Sequence, residues 1–199
     1  RVFIIAGSVG MTGAAALAAT AAVRSGAGLV TIGIPEGLND ILEVKVTEAM
    51  TLPLPETPSG SLGKRAKEKS LDFAGKCDAV VLGPGLSTNP ETVKFVRGFI
   101  AECSVPMIVD ADGLNALAVY PDIFKEAKAP IVITPHPEKV IEAVSAIGST
   151  AAVVGHVMES GQASFVERRD GTVERLPNFY EDELWRFSKR LSELGERQR

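Results

Sequence analysis

The stretch "VFIIAGSVGMTGAAALAATAAVRSGAGLVTIGIP" (residues 2–35) decides the fold. Its opening apolar run is rich in β-branched residues and predicts a buried strand that ends at Gly7. The alanine-rich run that follows predicts a helix, and Gly26 is a typical residue for the end of such a helix. Thr12 is a candidate cap for this helix, because its hydroxyl can accept a bond from a free backbone N–H. The apolar run that ends at Pro35 predicts a second strand, so the stretch indicates a strand–helix–strand unit.

Further apolar runs with helices between them continue this pattern along the chain. The segments "AVVLGPG" (79–85), "VPMIVDADG" (105–113) and "APIVITPHP" (129–137) each predict a strand. Residues 89–103 predict a helix with one apolar face, and the prolines of residues 50–55 point to an edge strand. Short apolar strands alternating with helices indicate an α/β protein with a doubly wound, mostly parallel sheet and helices on both faces.

The ends of the predicted strands carry the polar and glycine-rich segments of the chain. These segments are "GSVGMTG" (7–13), "GPGLST" (83–88), "DADGLN" (110–115) and "TPHP" (134–137). In parallel sheets of this class, ligands bind at the carboxyl ends of the strands. We therefore expect the four segments to converge on one crevice.

Local sequence leaves the role of each segment open. The glycines of residues 7–13 fit neither the dinucleotide fingerprint nor the P-loop, so they form either a tight turn or an anion site at a helix start. Asp110 and Asp112 could bind Mg²⁺ or position a polar ligand, or one of them could cap a helix near Gly113. Asn115 and His136 each have a structural and a functional interpretation.

Composition and charge exclude several classes of protein. The 199 residues carry a net charge of −4 and no basic accumulation, so a nucleic-acid surface is not expected. Cys77 and Cys103 lie far apart, which suggests neither a disulfide framework nor a zinc site. No apolar run has the length of a membrane span, so we expect a soluble cytoplasmic protein without a membrane contact. The first strand starts directly after Arg1, which leads us to expect that the native N-terminus is missing.

The character of the sequence changes after His136. The pattern predicts a helix over 137–148, a strand over 150–157, a hairpin around Asp170 and Gly171, and an amphipathic helix over 181–196. We expect these elements to complete a truncated sheet. An unfinished sheet edge would also favour a homo-oligomer.

The four strand-end motifs, in this order and spacing, resemble the ADP- or ATP-dependent NAD(P)H-hydrate dehydratase family over residues 1–137. The resemblance implies a ribokinase-like fold and the dehydration of the damaged cofactor (S)-NAD(P)HX to NAD(P)H. ADP or ATP is consumed in that reaction, with Mg²⁺ expected beside it, and the substrate hydroxyl is phosphorylated and then eliminated. The resemblance also implies roles for particular residues. Ala14, Gly85 and His136 match positions that contact the hydrated nicotinamide nucleotide, and Asp110 and Asn115 match the loop beside them.

The sequence departs from the family pattern after "TPHP" (134–137). The family continues with "GE", a "K-G" turn that binds the nucleotide, and a "GTGD" loop with the catalytic aspartate, whereas this sequence contains none of these. The catalytic and nucleotide-binding residues are therefore unassigned, and we expect weak or absent turnover, because phosphoryl transfer depends on such groups. Residues 138–199 resemble instead the C-terminal end of aminoimidazole-ribonucleotide-synthase-related proteins, which predicts a segment of different origin packed on the same sheet.

Two other functions remain open at this point. The chain could be a non-catalytic chimera that acts as a nucleotide-binding or interaction module. A small-molecule kinase of the same fold is a weaker hypothesis, because the aspartate loop that such a kinase needs is missing as well.

Overall fold

A computed structural model describes residues 1–118, 120, 122–134, 165–167 and 173–175. The helix predicted over 137–148, the strand predicted over 150–157, the helix predicted over 181–196 and the candidate residue His136 lie outside the described residues. In this part of the chain, no helix has the length and apolar character needed to cross a membrane.

Six parallel strands form the sheet on which the candidate site is built. The sheet order is β3-β2-β1-β4-β5-β6, and every neighbouring pair is parallel. The strands are β1 (Val2–Ile5), β2 (Val30–Pro35), β3 (Met50–Leu54), β4 (Ala79–Leu82), β5 (Met107–Val109) and β6 (Ile131–Ile133). The predicted doubly wound α/β sheet is confirmed, as is the prediction that the proline-containing strand β3 lies at an edge.

Helices cover the sheet on both faces. Along β1, Phe3 and Ile5 belong to one buried cluster and Ile4 to the other, because successive side chains of a strand point to opposite faces. The helices α1 and α2 pack into the cluster of Ile4, and α3 to α6 contribute to the cluster of Phe3. The helices are α1 (Thr12–Arg24), α2 (Asn39–Lys45), α3 (Ala66–Ala74), α4 (Pro90–Glu102), α5 (Asp112–Ala118) and α6 (Ile123–Glu126), with a short 3-10 helix at Glu36–Leu38.

The strand order places a topological switch point between β1 and β4. From β1 the chain proceeds to β2 and β3 on one side, and from β4 it proceeds to β5 and β6 on the other. The two connections leave the paired strands in opposite directions, which opens a crevice at their carboxyl ends. The glycine-rich residues 7–13 and the loop at 83–89 follow these two strands directly.

The start of α1 differs from the sequence prediction. Thr12 is the first helical residue rather than the cap, Met11 precedes it, and no side chain caps this helix. The turn closes through backbone groups instead, since Met11 N–H donates to Ser8 O and Ala14 N–H donates to Met11 O. The Thr12 hydroxyl is left to accept a bond from Lys45 Nζ at 3.4 Å.

A second, smaller unit contains the predicted hairpin. Strands β7 (Phe165–Glu167) and β8 (Val173–Arg175) pair in antiparallel register, and they form a sheet separate from the six-stranded one. The chain divides into compact units at residues 1–149 and 150–199. The predicted boundary between 137 and 138, and the packing of the C-terminal segment on the large sheet, stay predictions.

Candidate functional site at the carboxyl ends of the strands

The glycine-rich turn (residues 7–13) is bonded directly to the loop that follows β4 (the 83–89 loop). Gly7 N–H donates to Pro84 O at 2.9 Å, and Ser8 Oγ donates to Gly85 O at 2.8 Å. The Ser8 side chain is buried, so water does not compete for its bond. Two segments predicted to converge therefore lie against each other at the switch point.

Gly85 occupies a position that only glycine fits. Its φ of +66° lies in the left-handed region, and a Cβ there would stand 2.9 Å from Met11 Cβ and 3.1 Å from Ala14 Cβ. Any larger residue would have to displace the first turn of α1. The structure thus brings Ala14 and Gly85 together, while their role as ligand contacts stays a prediction.

The loop after β5 packs just as tightly on the loop after β4. Gly83 has a φ of +133°, and a Cβ at this position would overlap the carbonyl of Asp110. Two backbone hydrogen bonds complete this contact. Asp110 N–H donates to Leu82 O at 3.0 Å, and Gly113 N–H donates to Asp110 O at 2.9 Å. The "GPG" and "DADGLN" segments accordingly form a continuous surface.

Both aspartates of this surface have protein partners. Asp112 accepts bonds from Ser87 N–H at 2.9 Å through Oδ2 and from Asn115 Nδ2 at 3.0 Å through Oδ1. Asp110 accepts a bond from Thr134 Oγ1 at 2.6 Å. Among the described residues no three His, Cys, Asp or Glu side chains are grouped to hold a metal. The roles predicted for the pair, toward Mg²⁺, a polar ligand or a helix start, stay predictions.

The fourth predicted segment, "TPHP" (134–137), reaches the same edge at its first residue. Thr134 follows β6, and its N–H donates to Val109 O at 3.3 Å in addition to the hydroxyl bond to Asp110. His136 lies outside the described residues, so its predicted contact with a ligand stays a prediction.

Sequence reasoning missed a further segment beside the site, the loop that follows β3 (the 57–61 loop). Val9 N–H donates to Gly60 O at 3.0 Å. Gly60 has a φ of +69°, and a Cβ there would collide with the Val9 side chain. The available signal was the hydroxyl-rich sequence "TPSGS" directly after a predicted edge strand.

A cluster of buried hydroxyl groups attaches the base of the 57–61 loop to α4. The Ser61 hydroxyl lies 2.9 Å from the hydroxyls of Thr57 and Thr92, and Thr92 also lies 2.8 Å from Leu62 O. All three hydroxyl-bearing residues are at least 95% buried, with 4%, 1% and 0% of their surface exposed for Thr57, Ser61 and Thr92. Buried hydroxyls that are fully bonded hold a loop in one conformation.

The start of α1 is a favourable place for a negative charge. Its first turn carries no acidic residue and no capping side chain, so backbone N–H groups are available there. Lys45 Nζ lies 3.4 Å from Thr12 Oγ1 and adds a positive charge. The start of α1 therefore suits an anionic group.

Several α/β folds have a doubly wound sheet with a glycine-rich turn at the switch point, and comparison with solved structures distinguishes among them. A solved ribokinase-like superfamily protein from Enterococcus faecalis superposes with a TM-score of 0.56 at 20% identity, over 73% of this chain and 48% of that one. The fold is therefore ribokinase-like, as the resemblance implied.

The sequence profile of the NAD(P)H-hydrate dehydratase family matches residues 2–165, and the chain belongs to this family. A bifunctional NAD(P)H-hydrate repair enzyme of Moorella thermoacetica is 46% identical over 154 residues, covering 77% of this chain and 28% of that protein. An ADP-dependent (S)-NAD(P)H-hydrate dehydratase of Xanthomonas campestris is 31% identical over 138 residues, covering 68% of this chain and 45% of that protein. The chain thus spans less than half the length of these relatives. The family match continues past residue 137, where the resemblance was expected to end.

Proposed function

We propose that this chain supplies the substrate-holding half of a nucleotide-dependent dehydratase that restores NAD(P)H from (S)-NAD(P)HX. The observation that carries the proposal is the packing of Gly85 against Ala14 at the switch point, with 3.1 Å between Ala14 Cβ and a Cβ built on Gly85. Both residues match substrate-contacting positions of the family. Their small size leaves backbone surface for the hydrated nicotinamide ring.

Polar groups around this surface complete the substrate contacts. Asn115 is exposed beside Asp112, which orients its amide through the 3.0 Å bond. The start of α1, with Lys45 beside Thr12, accommodates the phosphates of the dinucleotide. His136 joins this set as the contact that the family motif implies.

The reaction consumes a nucleotide, because the hydroxyl of the hydrated ring is a poor leaving group. The substrate hydroxyl takes a phosphoryl group from ADP or ATP, and phosphate then leaves with the C–O bonding electrons while the ring loses a proton. Bound with the nucleotide, Mg²⁺ would neutralise the charge of its phosphates. The described residues offer no fitted metal cluster, and the "GTGD" loop is not in this sequence. We therefore assign neither the nucleotide nor the base to this chain, and we propose weak or absent turnover for it.

The proposal is tested by mixing the purified chain with NADHX and either ADP or ATP. Titration calorimetry measures binding of NADHX, and the absorbance of regenerated NADH measures turnover. We expect binding without appreciable turnover. Robust turnover would contradict the assignment of half a site, and absence of binding would contradict the function itself.

A second candidate function is a non-catalytic interaction module, and one surface favours it. Ile108 of β5 and Val132 of β6 are register partners on one face of the sheet, and they are 39% and 46% exposed. Adjacent exposed apolar side chains on a sheet favour association with another surface. Light scattering of the wild type and of Val132→Lys tests the homo-oligomer, which the lysine should dissociate.

A cytoplasmic location remains part of the proposal.

A further inference from the structure

Three loops at the candidate site are joined into a closed ring of hydrogen bonds. The glycine-rich turn is bonded to the 83–89 loop through Ser8 Oγ and Gly85 O at 2.8 Å. The same turn is bonded to the 57–61 loop through Val9 N–H and Gly60 O at 3.0 Å. Asn89 closes the ring, because its Nδ2 donates to Ser59 Oγ at 2.9 Å.

Asn89 performs two separate tasks with different atoms. Its Oδ1 accepts a bond of 2.8 Å from Glu91 N–H and caps α4, which has Pro90 in its first turn. Its Nδ2 reaches across to Ser59. The cap needs only a short side chain with an oxygen, whereas the bond to Ser59 needs the amide. The two tasks can therefore be separated by substitution.

The bond from Asn89 acts on the tip of the 57–61 loop. The buried hydroxyl cluster holds the base of this loop through Thr57 and Ser61. The exposed Ser59 hydroxyl also lies 2.9 Å from Thr57 Oγ1, and the bond from Asn89 is what ties it to the 83–89 loop. Gly60, which contacts the glycine-rich turn, is the next residue after Ser59. Fixing Ser59 thus fixes the carbonyl that accepts the bond from Val9.

We infer that Asn89 is a positioning residue for ligand binding, which closes the ring of three loops and thereby holds the glycine-rich turn against Gly85. The identity of the ligand rests on the proposed function, whereas the ring itself does not. The residue acts through Ser59 and Gly60 and makes no contact with the ligand.

The test uses Asn89→Ser, Ser59→Ala and the double variant as a mutant cycle. The serine keeps an oxygen for the α4 cap but is too short to reach Ser59. Calorimetry measures the affinity for NADHX, and amide hydrogen exchange measures the protection of Val9 N–H. Ser25→Ala is the matched control, since the exposed Ser25 hydroxyl donates only to Ala21 O in α1. Ser59→Thr keeps the hydroxyl and serves as the rescue.

We expect Asn89→Ser to weaken NADHX binding about three- to tenfold, the loss of one neutral hydrogen bond. Ser59→Ala should weaken it at least as much, because it also removes the bond to Thr57. Exchange at Val9 should accelerate in both, while the melting temperature stays close to that of Ser25→Ala. The double variant should bind no more weakly than Ser59→Ala alone, because Ser59→Ala already removes the bond to Asn89 together with the bond to Thr57. Ser59→Thr should bind like the wild type.

Unchanged Val9 exchange in both single variants would overturn the inference, even if binding were weakened. Additive effects in the double variant would overturn it as well. If the wild type binds no NADHX, the proposed function fails, and the exchange data still decide whether Asn89 holds the turn.

Discussion

The Ser8 hydroxyl and the Gly85 carbonyl are hydrogen-bonded at 2.8 Å, although the two residues are 77 positions apart in the chain. The bond crosses the switch point between β1 and β4, which are neighbours in the sheet. The bond joins the 83–89 loop, which is expected to contact the hydrated nicotinamide, to the glycine-rich turn before α1. The site is therefore a consequence of the strand order, since no single segment of the sequence contains it.

Removing this hydroxyl should destabilise the protein and weaken the site together. Ser8→Ala leaves the Gly85 carbonyl without its partner beside a buried side chain, which costs about 1–3 kcal/mol. Urea unfolding measures the loss, and Ser25→Ala, an exposed serine with a local bond, provides the control. Equal unfolding midpoints for the two variants would contradict the importance of the bond.

The buried hydroxyl cluster predicts a difference between two substitutions of Thr92. Thr92→Val keeps the shape but removes the bonds to Ser61 Oγ and Leu62 O, so we expect a loss of about 1–3 kcal/mol in the free energy of unfolding. Thr92→Ser keeps the hydroxyl and should lose less. A valine variant as stable as the wild type would show that the cluster does not hold the 57–61 loop to α4.

The ion pair between α3 and α4 predicts a defined dependence of stability on pH. Lys67 Nζ lies 2.6 Å from Glu102 Oε1, and this bond lowers the pKa of Glu102 below 4.5 and raises the pKa of Lys67 above 10.5. The stabilisation from Glu102 is present above pH 4.5 and disappears as the pH falls through its lowered pKa. The stabilisation from Lys67 is complete below pH 10.5 and disappears as the pH rises through the raised pKa of Lys67.

Thermal melts of the wild type and Glu102→Gln across the pH range check this prediction. The wild type should melt at a slightly higher temperature between these limits, and the difference should vanish at low pH. Glu48→Gln, an exposed carboxylate outside the interface of α3 and α4, is the control. A difference that persists at a pH low enough to protonate the carboxylates of the folded protein would contradict the assignment to the ion pair.

The sheet and its ligand edge could be predicted because both follow from local sequence. Apolar runs ending in glycine define β1 and β4, and the parallel arrangement then brings their carboxyl ends to one edge. The contact of Gly85 with Ala14 agrees with this expectation. Each short segment that meets at this edge could therefore be predicted from its own sequence.

The missed features depend on contacts between segments distant in sequence. Thr92 is hydrogen-bonded to Ser61, 31 residues earlier, and neither residue belongs to a sequence motif. The capping prediction for Thr12 was wrong because the backbone of Met11 already closes the turn through Ser8 O. Neither hydrophobic periodicity nor helix propensity indicates whether a side chain or a backbone group closes the turn at the start of a helix.

The claim that Gly85 and Ala14 hold the substrate is tested most directly by the binding of NADHX to Gly85→Ala. The added Cβ would stand 2.9 Å from Met11 Cβ at a φ of +66°, which displaces the surface on which the ring is expected to lie. Gly28→Ala is the control, because no atom lies within 4 Å of a Cβ there. Calorimetry should show binding to the wild type and Gly28→Ala, and binding to Gly85→Ala weakened more than about tenfold. Equal affinity of all three proteins, or no binding to the wild type, would contradict the account.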